Sequence, residues 1–331
     1  MLYVTTRSDT DHYTANRALM EMRAPNGGLF LPMQIPYWSP QQIQDMKNHT
    51  FFENFAQVLN RFFSVHLSDW DVKICFGRNP TAMVSVGPRI LVAEFWHSLD
   101  SSYQAVAKRI YNKMSGSVGD TPTHWASIAI RIAALFALFA EDGFPEEPVD
   151  VGQTSDSLDT PIAVWYARHT GLPLGNILYA CNENDAVWDL LQRGIYAPQS
   201  WEQEQLSGLE FLIGATLGVK ETRRFLDCLA KKNPYVLTPE QTEKLSLGIS
   251  PSVVGKRRVS QIVSSVYHGH QYLMDPYTAL AYGCLQDYRA TTGEAKHTLL
   301  LADRSPQLYV QSIAQATGIS QEKLQGLINQ K

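Results

Sequence analysis

Residues 94–107 read Glu-Phe-Trp-His-Ser-Leu-Asp-Ser-Ser-Tyr-Gln-Ala-Val-Ala. The run Arg89-Ile-Leu-Val-Ala just before and into it predicts a strand over 89–95, and a helix is predicted over 101–114. Inside that helix Gln104 presents a carboxamide, and Lys108 follows one turn later on the same face. The alternation continues down the chain. Helices are predicted at 125–141, 161–170, 184–193, 220–231, 239–246, 277–290 and 306–316, with strands at 148–152, 175–181 and 297–302. Strands separated by helices indicate an α/β class with a mainly parallel sheet flanked by helices. Residues 1–80 read instead as a helical N-terminal module, with helices near 12–23 and 40–63. Ser39-Pro40-Gln41-Gln42 opens the second of these as N-cap, first-turn proline and capping-box glutamine.

Several other segments stand out in order. They are Tyr3-Val-Thr-Thr-Arg7, Ala24-Pro-Asn-Gly-Gly-Leu-Phe-Leu-Pro32, His124-Trp125-Ala126, Gly171-Leu-Pro173, Cys181-Asn-Glu-Asn-Asp185, Gly194-Ile-Tyr196 and Asp275-Pro-Tyr-Thr-Ala279. Together with 94–107 they resemble, from end to end, the motifs of threonine synthases, which are fold-type II, tryptophan-synthase-β-like enzymes of pyridoxal phosphate. The opening segment is similar to that family's E-L-F-H-G-P-T-L-A-F-K-D-V-A. Glu94, His97, Val106 and Ala107 agree, Tyr103 stands for the phenylalanine, and the Schiff-base lysine falls on Gln104. An amine condenses reversibly with an aldehyde; a carboxamide does not.

The resemblance implies further losses. Counting back from Gly171, the family's Gly-rich phosphate loop falls on Thr154-Ser155-Asp156-Ser157-Leu158-Asp159, with both glycines replaced by aspartate. Each like-charge pair at ~4 Å would cost about 4 kcal/mol at an effective dielectric near 20. The late T-A-H-P-A-K-F, on the pyridine side, falls on Asp303-Arg304-Ser305-Pro306-Gln307-Leu308-Tyr309. Between Gln104 and His124 only a Gly- and Ser-rich connector, 111–123, stands where the family inserts a domain of roughly a hundred residues. The expected fold is therefore a truncated fold-type II scaffold, with a module at 1–80 and the remaining large α/β domain at 81–331.

Composition narrows the function classes. The chain has 331 residues, 44% hydrophobic, a net charge of −4 and a pI near 6.1, so no basic footprint argues for nucleic acid or an anionic membrane. Lys256-Arg257-Arg258 reads as a solvated loop, and His268-Gly-His270 as a loop without the neighbours a metal site needs. Four scattered cysteines without a C-x-x-C suggest neither disulfides nor zinc, and the polar first thirty residues lack a secretory signal. A cytoplasmic protein is expected. The apolar run 125–140 is shorter than the about 20 residues of a membrane span and carries Arg131, so it reads as a buried core helix.

Candidate site residues follow from these positions. Gln104 marks the degenerate Schiff-base position, with His97, Tyr103 and Lys108 as neighbours. His97, Gln104, Asp156, Ser157, Asp159, Asn182, Asn184 and Asp185 are candidate ligand contacts. His97 reads as catalytic or as a packed structural histidine. Asp156 and Asp159 read as an acid–base pair or as caps of the helix that Pro161 opens. Asn182, Asn184 and Asp185 read as contacts or as the retained end of a strand. The expected function is a threonine-synthase-like pseudoenzyme without cofactor or metal, acting as a binding or regulatory protein or a partner subunit, with an amino-acid-like ligand. The alternatives are an enzyme rebuilt without pyridoxal phosphate on Asp156, Asp159, His97 and Tyr103, or a cryptic lyase using Lys108. Self-association or a protein partner is expected on a face bordered by 103–113 and 125–139.

Overall fold

The computed structural model describes residues 1–76, 82–95, 103–141, 147–154, 158–181, 185–198, 206–246 and 248–329. At the centre of its main sheet, Val149–Thr154 and Thr298–Ala302 are runs whose every residue is buried. Thr298-Leu-Leu-Leu-Ala302 is buried throughout, with Leu299 and Leu301 on one face and Leu300 and Ala302 on the other. Successive strand side chains point to opposite faces, so a run apolar at every position requires cover on both sides.

In chain order the strands are β1 Leu2–Thr5, β2 Ser8–Thr14, β3 Phe30–Pro32, β4 Ala82–Gly87, β5 Ile90–Glu94 and β6 Val149–Thr154. They continue with β7 Leu174–Cys181, β8 Ile195–Tyr196, β9 Tyr235–Val236, β10 Ile249–Val253 and β11 Thr298–Ala302. The six-stranded sheet runs β10-β7-β6-β11-β5-β4, parallel except for β4, which pairs antiparallel with β5. The mainly parallel α/β class is thus the architecture observed. Close packing needs small residues at two places. A methyl group on Gly152 would lie 2.5 Å from Leu300 Cδ2, and one on Gly171, at φ +114°, 2.5 Å from the Trp38 carbonyl.

The N-terminal module differs from the sequence reading. It opens on a three-stranded antiparallel sheet in the order β2-β1-β3, and the helix expected near 12–23 shrinks to Ala15–Met20. Thr14 ends β2 and accepts the Arg17 N–H as N-cap, so the chain stays extended up to that residue. The second expected helix divides into Pro40–Asp45, a 3-10 turn Met46–Asn48 and Phe51–Phe63, because Thr50 and Glu53 form a second capping box. Helices Asp69–Phe76, Leu206–Leu217, Lys256–His270 and Gln321–Asn329, and strands β8, β9 and β10, add to the elements expected. Lys256–Arg258 begins a helix rather than a loop, and His268 and His270 close it, with His268 Nδ1 2.7 Å from the Ser264 carbonyl.

The His124–Glu141 helix is long and apolar enough to cross a membrane, yet it is buried between the Phe51–Phe63 and Asp159–His169 helices. From Trp125 to Phe139 only Ser127 is less than fully buried, so this segment does not border an open apolar face as expected. The preceding helix runs from Tyr103 to Ser115, which shortens the connector to 116–123. Trp125 joins the module to the α/β part. Its ring meets Tyr3, Phe62, Tyr166 and Phe211 at 5.2 to 6.0 Å, and its Nε1–H donates to the Tyr3 hydroxyl at 2.9 Å. Tyr3 in turn donates to the Phe62 carbonyl at 2.9 Å, and burial pushes its phenol well above the usual range.

Candidate functional site

A cavity of about 450 Å³ opens outside the carboxyl ends of β6 and β11, the place where open parallel sheets hold their ligands. Gln104 and Lys108, one turn apart on the Tyr103–Ser115 helix, both line it and are exposed. The two share one face of the helix, as their spacing implies. Among the described residues Lys108 makes no ion pair.

Asp159 lines the same cavity, but its role is not the expected cap. Leu158 occupies the capping position of the Asp159–His169 helix and gives no side-chain bond. The Asp159 carboxylate instead accepts from Ser127 Oγ at 2.9 Å and lies 3.3 Å from His124 Nε2. His124 and Ser127 sit on one face of the His124–Glu141 helix, three residues apart. Burial depresses the His124 imidazolium below the ordinary histidine value, with Asp159 opposing that shift, so the ring is held toward its neutral form. Asp185 is a cap. It accepts the Val187 N–H at 2.8 Å at the start of Ala186–Arg193 and is absent from the cavity lining. His97, Asp156, Ser157, Asn182 and Asn184 lie outside the described residues, as does the side chain of Tyr103.

The structure adds groups to which sequence reasoning gave no role. Arg131 reaches the cavity from the core helix and holds Asp303 with two parallel bonds, Nη1 to Oδ1 and Nη2 to Oδ2, each 2.9 Å. Arg304 lies 4.3 Å over the Tyr277 ring and donates to Tyr309 at 2.9 Å. Asp275 caps the Pro276–Thr292 helix, accepting from the Tyr277 and Thr278 N–H groups and from the Thr278 hydroxyl. Burial raises its carboxyl despite those bonds. On the module side, Arg23 donates to Ser207 at 3.0 Å and to Glu210 at 2.9 Å, and Glu210 also holds Thr6 and Arg7. Burial alone would raise Glu210, but the bonds from Arg7, Arg23 and Thr6 outweigh it and hold the carboxylate below the usual range.

Gln153, one residue before the end of β6, also lines the cavity; it is 5% exposed, and among the described residues its Oε1 has no hydrogen-bond partner. The available signal was a carboxamide near the end of a predicted buried strand, Val149-Asp-Val-Gly-Gln-Thr154. The clustering of Arg131 with Asp303 had no such signal, because 172 residues separate them. Among the described residues, no group of three or more His, Cys, Asp and Glu side chains is placed to hold a metal ion.

Residues 2–78 match the family described as threonine synthase N terminus. Three solved threonine synthases share the fold. That of Brucella melitensis, described as bound to PLP, superposes with a TM-score of 0.85 at 16% identity, covering 96% of this chain and 92% of that one. The yeast enzyme gives 0.84 at 15% identity, covering 97% of this chain and 91% of its own. The Escherichia coli enzyme gives 0.69 at 16%, with 97% and 92% covered. Residues 2–78 are thus similar to the threonine synthase N terminus, and the chain shares its fold with these solved threonine synthases.

Proposed function

We propose that this chain is a threonine-synthase-like pseudoenzyme, without pyridoxal-phosphate-dependent lyase activity, that binds a small polar ligand in the cavity at the ends of β6 and β11. Gln104 carries the reading. At the position that the sequence resemblance assigns to the Schiff-base lysine, a carboxamide lines the cavity, and it cannot condense with an aldehyde. Asp303, at the start of the pyridine-side segment, supports the same conclusion, because both its oxygens are held by Arg131. Asp159 adds a carboxylate at the end of the segment aligned with the phosphate loop. These residues do not fit the cofactor named in the Brucella melitensis structure.

Purified protein mixed with pyridoxal phosphate should show no internal-aldimine band in the visible range, and borohydride should fix no cofactor on the chain. A Gln104→Lys variant should remain unable to form threonine from phosphohomoserine, since the other losses each remove contacts made in the transition state. One observation favours a second reading. Lys108 lines the cavity beside Gln104 and makes no ion pair among the described residues, so it is placed to serve as a migrated lysine. A trapped adduct on Lys108 would replace the pseudoenzyme reading with a cryptic lyase.

The protein is also proposed to associate, with itself or as a partner subunit. With 125–139 buried, the surviving border of the expected contact is the Tyr103–Ser115 helix, whose exposed Lys113, paired with Asp71 at 2.8 Å, lies on the side away from the cavity-lining Gln104 and Lys108. Light scattering should give a mass above 37.2 kDa, or native extract should yield a partner that charge reversal at Lys113 releases. A monomer with no such partner removes this part of the proposal.

A further inference from the structure

Gln153 poses a specific question: why does a strand end keep a buried carboxamide whose oxygen is unpaired? Such an acceptor costs free energy unless something donates to it. The side chain lines the cavity, while its Oε1 meets no donor among the described residues. The last torsion of a glutamine is broad and roughly two-fold, so a half-turn of the amide exchanges which end, oxygen or nitrogen, meets a molecule in the cavity.

The charges nearby decide what kind of donor suits it. An ammonium group would require a carboxylate to accompany it. Of the carboxylates that line the cavity, Asp303 is neutralised by Arg131, Asp275 is turned to the helix N–H groups it caps, and Asp159 is engaged by the Ser127 hydroxyl, with His124 Nε2 at 3.3 Å. Lys108, in contrast, makes no ion pair among the described residues. A neutral N–H beside the glutamine and an acidic group beside the lysine match that distribution. A carboxamide presents an acceptor next to a donor, the complement of the N–H and C=O of another amide.

We infer that the cavity selects a small acid bearing an amide or lactam group, with Gln153 as the specificity-determining residue and Lys108 as the contact for the acid. This deepens the ligand-binding reading above and rests on it.

The test is calorimetric titration of the full chain with three ring acids of similar size. Pyroglutamate is a lactam carboxylate, 5-oxotetrahydrofuran-2-carboxylate is its lactone isostere without the N–H, and proline carries an ammonium in place of the amide. The wild type should bind the lactam about tenfold to a hundredfold more tightly than the lactone, the discrimination expected when a buried acceptor is left unpaired. Gln153→Leu should abolish the difference, and Lys108→Met should weaken both acids by a common factor. Gln153→Leu should also melt no lower than the wild type, because it removes an unpaired buried group, and a large drop in melting temperature would show Gln153 to be structural. Equal binding of lactam and lactone, or discrimination that survives Gln153→Leu, overturns the assignment and leaves the cavity a ligand site. Tighter binding of proline overturns the neutral-donor choice and points to amino acids. Binding of none of the three overturns both this inference and the small-ligand reading.

Discussion

Trp125→Ala will destabilise the protein by about 3–5 kcal/mol, the range for removing a large aromatic from a closed core. The indole is 1% exposed and sits among four rings from three separate stretches: Tyr3 and Phe62 of the N-terminal module, Tyr166 of the helix after β6, and Phe211. Its hydrogen bond to Tyr3 is the smaller part of the effect, since one such bond contributes about 1 kcal/mol net. Packing decides the result. Trp125→Phe, which keeps most of the ring volume and loses the N–H, should therefore cost much less than the alanine. Urea unfolding followed by circular dichroism measures both. If alanine costs under about 1.5 kcal/mol, the cluster is not what joins the module to the α/β part, and 2–78 should then unfold in a separate transition.

That joint also shows where sequence reasoning succeeded. His124-Trp125-Ala126 before a long apolar run was legible as a core helix because period, length and Arg131 all spoke against a membrane span. The central strands β6, β7 and β11 were legible because apolar runs between helices leave few alternatives. The three-stranded sheet at the N-terminus was not. Ser-Asp-Thr-Asp-His-Tyr-Thr in β2 is polar and largely exposed, so its strand character comes from pairing with β1 rather than from its own pattern. The site divides the same way. Gln104 and Lys108 share a helix face, so spacing alone placed them at one cavity. Asp185 and Asp159 show the limit: both stand at helix starts, but Asp185 makes the local cap to the Val187 N–H, whereas a tertiary contact turns Asp159 to Ser127. Arg131 meets Asp303 across 172 residues, a pairing that no local rule reaches.

Asp303→Ala should be nearly as costly as the loss of Trp125, for an electrostatic reason. The Arg131 side chain is 6% exposed and Asp303 21%, and removing one member of such a pair leaves a charge that water can barely reach. Breaking buried pairs costs roughly 3–5 kcal/mol, and the partial exposure of Asp303 places this one toward the lower end. Replacing both partners is a different experiment. Arg131→Met with Asp303→Leu takes away two desolvated charges together and should recover most of the stability, since apolar replacements of buried pairs are often neutral or better. Denaturant midpoints of the two single variants and the double variant form a mutant cycle that isolates the pair. Strong coupling means that Asp303 neutralises the Arg131 charge and that Lys108 carries the recognition of an acid. If Asp303→Ala costs under about 1 kcal/mol, Arg131 is held by other contacts and its guanidinium becomes a second anion contact in the cavity. The Lys108→Met variant should then lose little affinity for either ring acid, so stability and binding together decide which cation the ligand meets.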